Sequence, residues 1–320
     1  MNAFRRTPAT KREGSKLKRA SSKGVGVRTG IRRRMLVPAL VAGLVASALG
    51  TSPASSELDP TLPSLTLDQL LAIAHVDAPP DGIGLEIHAD FPTENPLTIG
   101  GLEFTALTAV INPDHSVDMQ SAVPARGTDS GDAVGECTDP TFAPTGRSWR
   151  AEDMPVEWRF DVRSTPPAKS KFFTRRSIRL AHTVWPHAVT RCKDSTTTSF
   201  DYLYKGETRR RVKYDQTNIV EFGPLGSGAL AINYTWFSGT RIMETDLRLN
   251  RGDYRWTNRR EGSGYQVRNV TAHELGHQVG LDDLGDPHSA LTMFGRISRG
   301  ELKKTTLGSG DLRGAQRLSP

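Results

Sequence analysis

His273 and His277 stand four residues apart, with Glu274 directly after the first of them, in the stretch TAHELGHQVGLDDLGDPHSALTMFG over 271–295. On a helix, positions i and i+4 are neighbours one turn apart, so the two imidazoles share a face. Two neutral imidazoles at that separation can hold one Zn²⁺ at near-tetrahedral angles, and Glu274 points beside the metal, where a water would sit. That is the outline of a hydrolytic zinc site. Gly280, three residues after His277, is placed to end the helix in a left-handed conformation that glycine adopts cheaply. The chain can then turn back, and Asp283 offers a third ligand oxygen while the fourth position stays open for water. Asp282 would serve instead if the turn were one residue tighter, and His288 is close enough in sequence to reach the metal or its surroundings. Met293, in the short apolar segment SALTMFG, is placed to close a floor beneath the ligands.

Taken together, His273, Glu274, His277, Gly280 and Met293 resemble the metzincin zinc endopeptidases, whose pattern is H-E-x-x-H-x-x-G-x-x-H followed by a Met-turn. The chain is most similar to matrixin-like secreted bacterial proteases. Most members of that family use His as third ligand; Asp283 here resembles the H-E-x-x-H-x-x-G-x-x-D variant of the snapalysin-type neutral proteases. A carboxylate is a harder ligand than imidazole and is common on zinc. The resemblance covers about 145–320 and implies an α+β fold: a twisted mixed sheet with an antiparallel edge strand, a first helix, an active-site helix and a C-terminal helix. It further implies zinc as cofactor, a protein or peptide substrate and a monomeric enzyme. Calcium is left open, because the Gly and Asp rich calcium loops of animal matrixins are not evident. Residues 229–236 are implied to be the edge strand above the cleft, to which an extended peptide would add through main-chain bonds. Phe294, beside the Met-turn, has no hydroxyl for an oxyanion, which leaves that work to zinc and backbone N–H groups.

Two rival readings compete. A gluzincin needs a downstream Glu ligand, for which Glu301 is nearest, and leaves Gly280, Asp283 and Met293 unexplained. A non-catalytic extracellular zinc-binding module of metzincin fold has no need of a base such as Glu274 beside the metal.

The elements that must position these groups begin with a leader. Residues 1–54 carry 12 Lys and Arg against one acidic residue and end in an apolar run over 35–50, too short for a confident membrane span. A positive stretch, an apolar stretch and small residues at Ala48 and Ala54 have the order of a secretory signal, with an uncleaved signal anchor as the alternative. The expected location is therefore extracellular, with the membrane involved only through an anchor. The leader alone is therefore +11, and against the overall +7 the rest of the chain is −4, so the net positive charge comes from the leader. Residues 55–140 carry 15 acidic side chains against one basic, and 141–320 carry 29 basic against 19 acidic. An acidic propeptide or N-terminal segment thus precedes a basic protease domain, which favours their association. No nucleic-acid reading motif accompanies the basic residues, which excludes that partner class.

Within the acidic segment, 55–62 reads as a Ser and Pro rich linker and 65–76 as a helix capped by Thr66. Residues 83–87, 97–111 and 116–123 read as strands, and 125–138 as a Gly, Asp and Ser rich connection. In the protease domain, 156–162 alternates as a strand and 171–190 has helical spacing, with Pro186 expected to bend or shorten it. Strands are expected over 218–222, 229–236 and 241–249, with 209–213 a solvated charge run. The active-site helix is expected over 265–279. The ending, 307–318, resembles the closing matrixin helix, with Ser309 a cap candidate and Asp311 in its first turn. Cys137 and Cys192 are the only cysteines, and in an exported chain such a pair most simply forms one disulfide. The sharper alternative is a latency switch in which Cys137 takes the open zinc position, although GECTDP lacks the Arg-Cys-Gly core of the matrixin switch.

Overall fold

The computed structural model describes residues 64–126, 134–193, 197–259 and 263–320. The leader over 1–54, the linker over 55–62 and the middle of the 125–138 connection lie outside the described residues.

In chain order the elements are α1 (Leu67–Ala74), β1 (Gly84–Asp90), β2 (Leu97–Ile99), β3 (Leu102–Ile111), β4 (Val117–Pro124), β5 (Val156–Phe160), α2 (Lys171–Ala181), β6 (Tyr202–Glu207), β7 (Asn218–Gly223), β8 (Ala231–Ser238), β9 (Arg241–Asn250), β10 (Trp256–Thr257), β11 (Tyr265–Gln266), α3 (Val267–Val279) and α4 (Ser309–Leu318). Thr66 caps α1 as its sequence predicts: its hydroxyl accepts from Gln69 N, and the Gln69 side chain accepts from Thr66 N in return. The predicted strand over 97–111 is broken at Gly100 and Gly101, both at positive φ, into the hairpin β2–β3.

One mixed sheet of nine strands runs in the order β2-β3-β1-β8-β9-β7-β5-β6, with β4 paired to β3. Strands β5, β6, β7 and β9 are mutually parallel, and β8 is antiparallel to β9. This mixed sheet with its helices is the α+β architecture implied by the resemblance. In one respect the structure departs from that expectation. Strand β8 is not a free edge, because β1 lies antiparallel along it in a register running from Gly84 opposite Phe237 to Asp90 opposite Ala231. The strands of the acidic segment therefore continue the sheet of the following domain.

Alternation decides which residues each face of β1 presents. Leu85, Ile87 and Ala89 are buried in a cluster with Leu70 and Ile73 of α1 and with Ile232, Tyr234 and Trp236 of β8. Burying large apolar side chains of this kind contributes about 1.5–3 kcal/mol each. Glu86, His88 and Asp90 point to the opposite face, towards α3, and are equally buried. A second cluster joins α3 to α4 and to the segment after α2 through Ala272, Leu275, Met293, Leu312 and Trp185.

Three boundaries differ from the sequence reading. Helix α2 stops at Ala181 rather than at 190, before Pro186, whose ring and missing N–H cannot continue an α-helix. Residues 265–266 are not helical; they pair with 256–257 as β11, and α3 begins at Val267. Strand β6 was not foreseen, since YLYKGE carries no apolar run and alternates half-buried with exposed residues at the sheet's margin. Among the described residues no helix is long and apolar enough to cross a membrane.

His182, which caps α2, stacks on Trp158 with ring centroids 3.5 Å apart, and its Nδ1 donates to Ile178 O at 2.9 Å. Burial lowers its pKa to about 3. The folded protein thus keeps His182 neutral, whereas the unfolded chain takes up a proton below about pH 6.5. Its contribution to stability is complete above that pH and is lost as pH falls towards 3. The stability advantage of wild type over His182→Phe is expected to shrink by about 2 kcal/mol between pH 7.5 and 5, read from urea unfolding midpoints. An advantage that stays constant with pH would refute the assignment.

Candidate active site

Helix α3 carries His273, Glu274 and His277, all buried. Each imidazole is held by its Nδ1: that of His273 donates to Thr292 O at 2.7 Å, and that of His277 to Leu281 O at 2.8 Å. A carbonyl can only accept, so both rings carry a proton on Nδ1 and turn Nε2 inward as the nitrogen available to a metal. This is the arrangement that fixes the tautomer of metal-binding histidines. Gly280 ends the helix at φ 105°, and its N–H reaches back to Gly276 O and His277 O. A side chain there would run into the carbonyl of Arg147. The turn it permits brings Asp283 back under the helix.

Asp283 Oδ1 lies 3.2 Å from His273 Nε2, and its Oδ2 lies 3.7 Å from His277 Nε2. Donors bound at about 2.0–2.1 Å to one tetrahedral zinc lie about 3.3 Å apart, so these separations are those of a coordination edge. A further carboxylate, Asp90 of β1, places Oδ2 3.0 Å from His273 Nε2. His273 Nε2, His277 Nε2 and both oxygens of Asp90, Glu274 and Asp283 are buried without a hydrogen-bond partner. Buried polar atoms are nearly always paired, and an inward cluster of nitrogen and carboxylate donors left unpaired is the donor set of a metal site. The residues present fit zinc.

The electrostatics agree. Burial and Asp90 push the Asp283 carboxyl up to about 6. Burial, with Asp90 and Asp283 adding to it, raises Glu274 well above the usual carboxylate range. Burial and the Lys304 ammonium oppose charge on His273, yet Asp90 and Asp283 hold its pKa up to about 9. Crowded carboxylates in a dry site thus call for positive charge, which a divalent cation supplies.

The floor is Met293, buried against Gly276 of α3. A Cβ at Gly276 would stand 2.6 Å from Trp185 and 3.0 Å from the Met293 methyl, so only glycine admits this approach. The turn itself is gripped from both sides. Asp311 of α4 accepts from Thr292 N at 2.8 Å, Met293 N at 3.1 Å and Gly308 N at 2.8 Å. Lys304, fully buried, donates to Thr292 O at 3.0 Å and to Phe294 O, and its Nζ lies 3.3 Å from His273 Nδ1. Asp311 therefore does more than favour the helix dipole, and Gly308, not Ser309, is the cap residue of α4.

The remaining candidates are placed elsewhere. Asp282 is taken up by Thr108 Oγ1 at 2.7 Å, Ser121 Oγ at 2.8 Å and Asp283 N at 2.8 Å. His288 Nδ1 is bound to Asp139 at 2.8 Å. Glu301 accepts from Ser298 N and is not among the donors gathered at the imidazoles. Cys137 and Cys192 form a disulfide with Cα atoms 5.2 Å apart, so Cys137 has no thiolate for a latency switch.

Sequence reasoning missed His88, Asp90 and Lys304. The first two had a signal, since Glu86, His88 and Asp90 alternate with apolar Leu85, Ile87 and Ala89. His88 stacks on His277 at 4.0 Å with the rings 15° from parallel, and the ligand atoms of His88, His277 and Asp283 come within 4.8 Å of one another. Both of its nitrogens are already engaged, with Glu86 at 2.8 Å and Thr108 at 3.0 Å, whereas Nε2 of His277 has no hydrogen-bond partner. Lys304, in the polar run LKKTT, had no such signal.

No curated protein matches this chain. The profile of the matrixin peptidases matches residues 148–319, more than half of the chain and the whole of the stretch that carries α3, the turn at Met293 and α4. With that match and the mixed sheet and helices described, the chain belongs to the matrixins, a family of zinc metalloendopeptidases.

Proposed function

We propose that this chain is an exported zinc endopeptidase in which His273, His277 and Asp283 hold the metal and Glu274 is the general base. The observation that carries the reading is the convergence of two Nδ1-protonated imidazoles and the Asp283 carboxylate, every inward donor atom buried and unpaired. Zinc bound there supplies Lewis acidity, lowering the pKa of water and polarising the scissile carbonyl. Glu274, adjacent to the donors and free of other partners, takes the proton of the attacking water and returns it to the leaving amine. Met293 shapes the floor without binding the metal. Strand β8, paired with β9 on one side and covered by β1 on the other, would offer its outer main-chain groups to an extended peptide once β1 is removed, which suits cleavage within a chain rather than at its end. A zinc site kept only for structure would have no use for Glu274, which sets the non-catalytic alternative aside. Export is supported by the basic and apolar order of the leader and by the Cys137–Cys192 disulfide, a bond that persists in oxidising surroundings.

The test is chelation. Cleavage of unfolded casein by the processed chain is expected to cease when a chelator removes the metal and to return with one equivalent of Zn²⁺. Cleavage that continues in metal-free protein would contradict the proposal.

A further inference from the structure

We infer that the N-terminal segment closes the active site of its own chain, with β1 lying in the peptide track of β8 and the Asp90 carboxylate serving as a fourth donor to the metal. The inference rests on the zinc site proposed above. Three independent features of the segment carry it.

The first is the position of Asp90. Its carboxylate is 1% exposed, both oxygens lack a hydrogen-bond partner, and Oδ2 stands 3.0 Å from Nε2 of His273. At this distance the pair needs either a proton on Nε2 or a cation between the two atoms, and a metal held by His273 and His277 supplies the second. Asp90, His273 and His277 bring one ligand atom each within 4.8 Å of one another, as a shared metal requires. The water that Glu274 would activate belongs at this fourth position, so the carboxylate that fills it removes the nucleophile.

The second is the course of the backbone. Strand β1 runs antiparallel to β8 over seven paired residues, and Leu230 N donates to Asp90 O at 2.7 Å. Beyond Asp90 the chain crosses to the segment that follows the Met-turn, where Thr93 N donates to Ile297 O at 3.1 Å and Pro92 bridges Ile297 in parallel. The segment is thus tied on one side to β8 and on the other to the opposite wall, as an extended substrate would be, with Asp90 at the crossing.

The third is the set of contacts that keep it there. Glu86 pairs with Arg147, Glu94 pairs with Arg299, and Asp282 accepts from Thr108 and Ser121 of the neighbouring strands. These pairs join the acidic segment to the basic domain, with the sign of charge that each half carries in excess. Asp282, which stands beside the ligand Asp283 without sharing its role, is a docking residue for the segment.

The closure has two parts, a carboxylate at the metal and a strand on β8, and they separate by experiment. The full chain is loaded with Co²⁺ in place of zinc, the metal content is measured, and the visible absorption is titrated with acetohydroxamate, a small oxygen chelator. Wild type is expected to respond only at concentrations at least about tenfold above those that shift the spectra of Asp90→Ala and of the isosteric Asp90→Asn, because a four-donor site has no free position. Hydrogen exchange of the β8 amides that face β1 is expected to stay slow in all three proteins. Identical titrations of wild type and both variants would overturn the role of Asp90, and fast exchange of those amides in wild type would overturn the role of β1. Failure of wild type to take up one Co²⁺ per chain, seen before any acetohydroxamate is added, would instead bring down the underlying metal site, and this inference with it.

Discussion

Glu274→Gln is expected to lower kcat/KM on an unfolded protein substrate by about 10²–10⁴-fold while leaving one zinc per chain, with wild type and variant processed identically. The substitution preserves shape and removes only the capacity to carry a proton, at a residue whose oxygens have no other partner. The surrounding donors are untouched: His273 and His277 keep their Nδ1 bonds to Thr292 and Leu281. Rate and metal content are therefore expected to separate. Full activity in the Glu274→Gln protein would remove Glu274 from the chemistry, and loss of zinc from it would make Glu274 part of the metal's support instead.

The second large effect concerns Asp283, the proposed third ligand. Asp283→Ala is expected to weaken zinc binding by at least about 100-fold, since loss of a mere supporting partner of a ligand already costs about 10–100-fold. Asp283→Asn, which keeps an oxygen in place without its charge, is expected to fall between wild type and Asp283→Ala. The loss should be smaller in the full chain than after removal of the N-terminal segment, because Asp90 still faces His273 in the former. Competition against a chromophoric chelator measures all of these. Equal zinc affinity in wild type and Asp283→Ala would exclude the carboxylate as a ligand.

The parts of this site that were legible in the sequence are those whose geometry is local. His273, Glu274 and His277 lie on one helix, where spacing alone fixes mutual orientation. Gly280 and Asp283 follow within one turn, and a left-handed glycine determines where the chain goes next. The pairing of Cys137 with Cys192 followed from there being only two cysteines. What escaped depends on distant contacts. Asp90 is 183 residues before His273 in the chain and reaches it only because β1 adds to β8. Nothing local marks a strand for a particular partner, so 83–87 could be read as a strand but not placed in the cleft. Lys304 reads as a surface residue in a polar run, and its burial is decided by the carbonyls of the Met-turn and the nearby carboxylate of Asp311. Among the elements, β6 and the start of α3 were misjudged for the same reason, since pairing with a neighbouring strand overrode the local pattern.

The proposed activity depends on one cation held by residues from α3 and the turn that follows it. Anomalous diffraction from crystals of the full chain, recorded on both sides of the zinc absorption edge, tests this most directly. The predicted result is a single strong peak bounded by His273 Nε2, His277 Nε2 and the carboxylates of Asp283 and Asp90. Absence of any peak among those four side chains in zinc-loaded crystals, or a peak elsewhere in the chain alone, would contradict it.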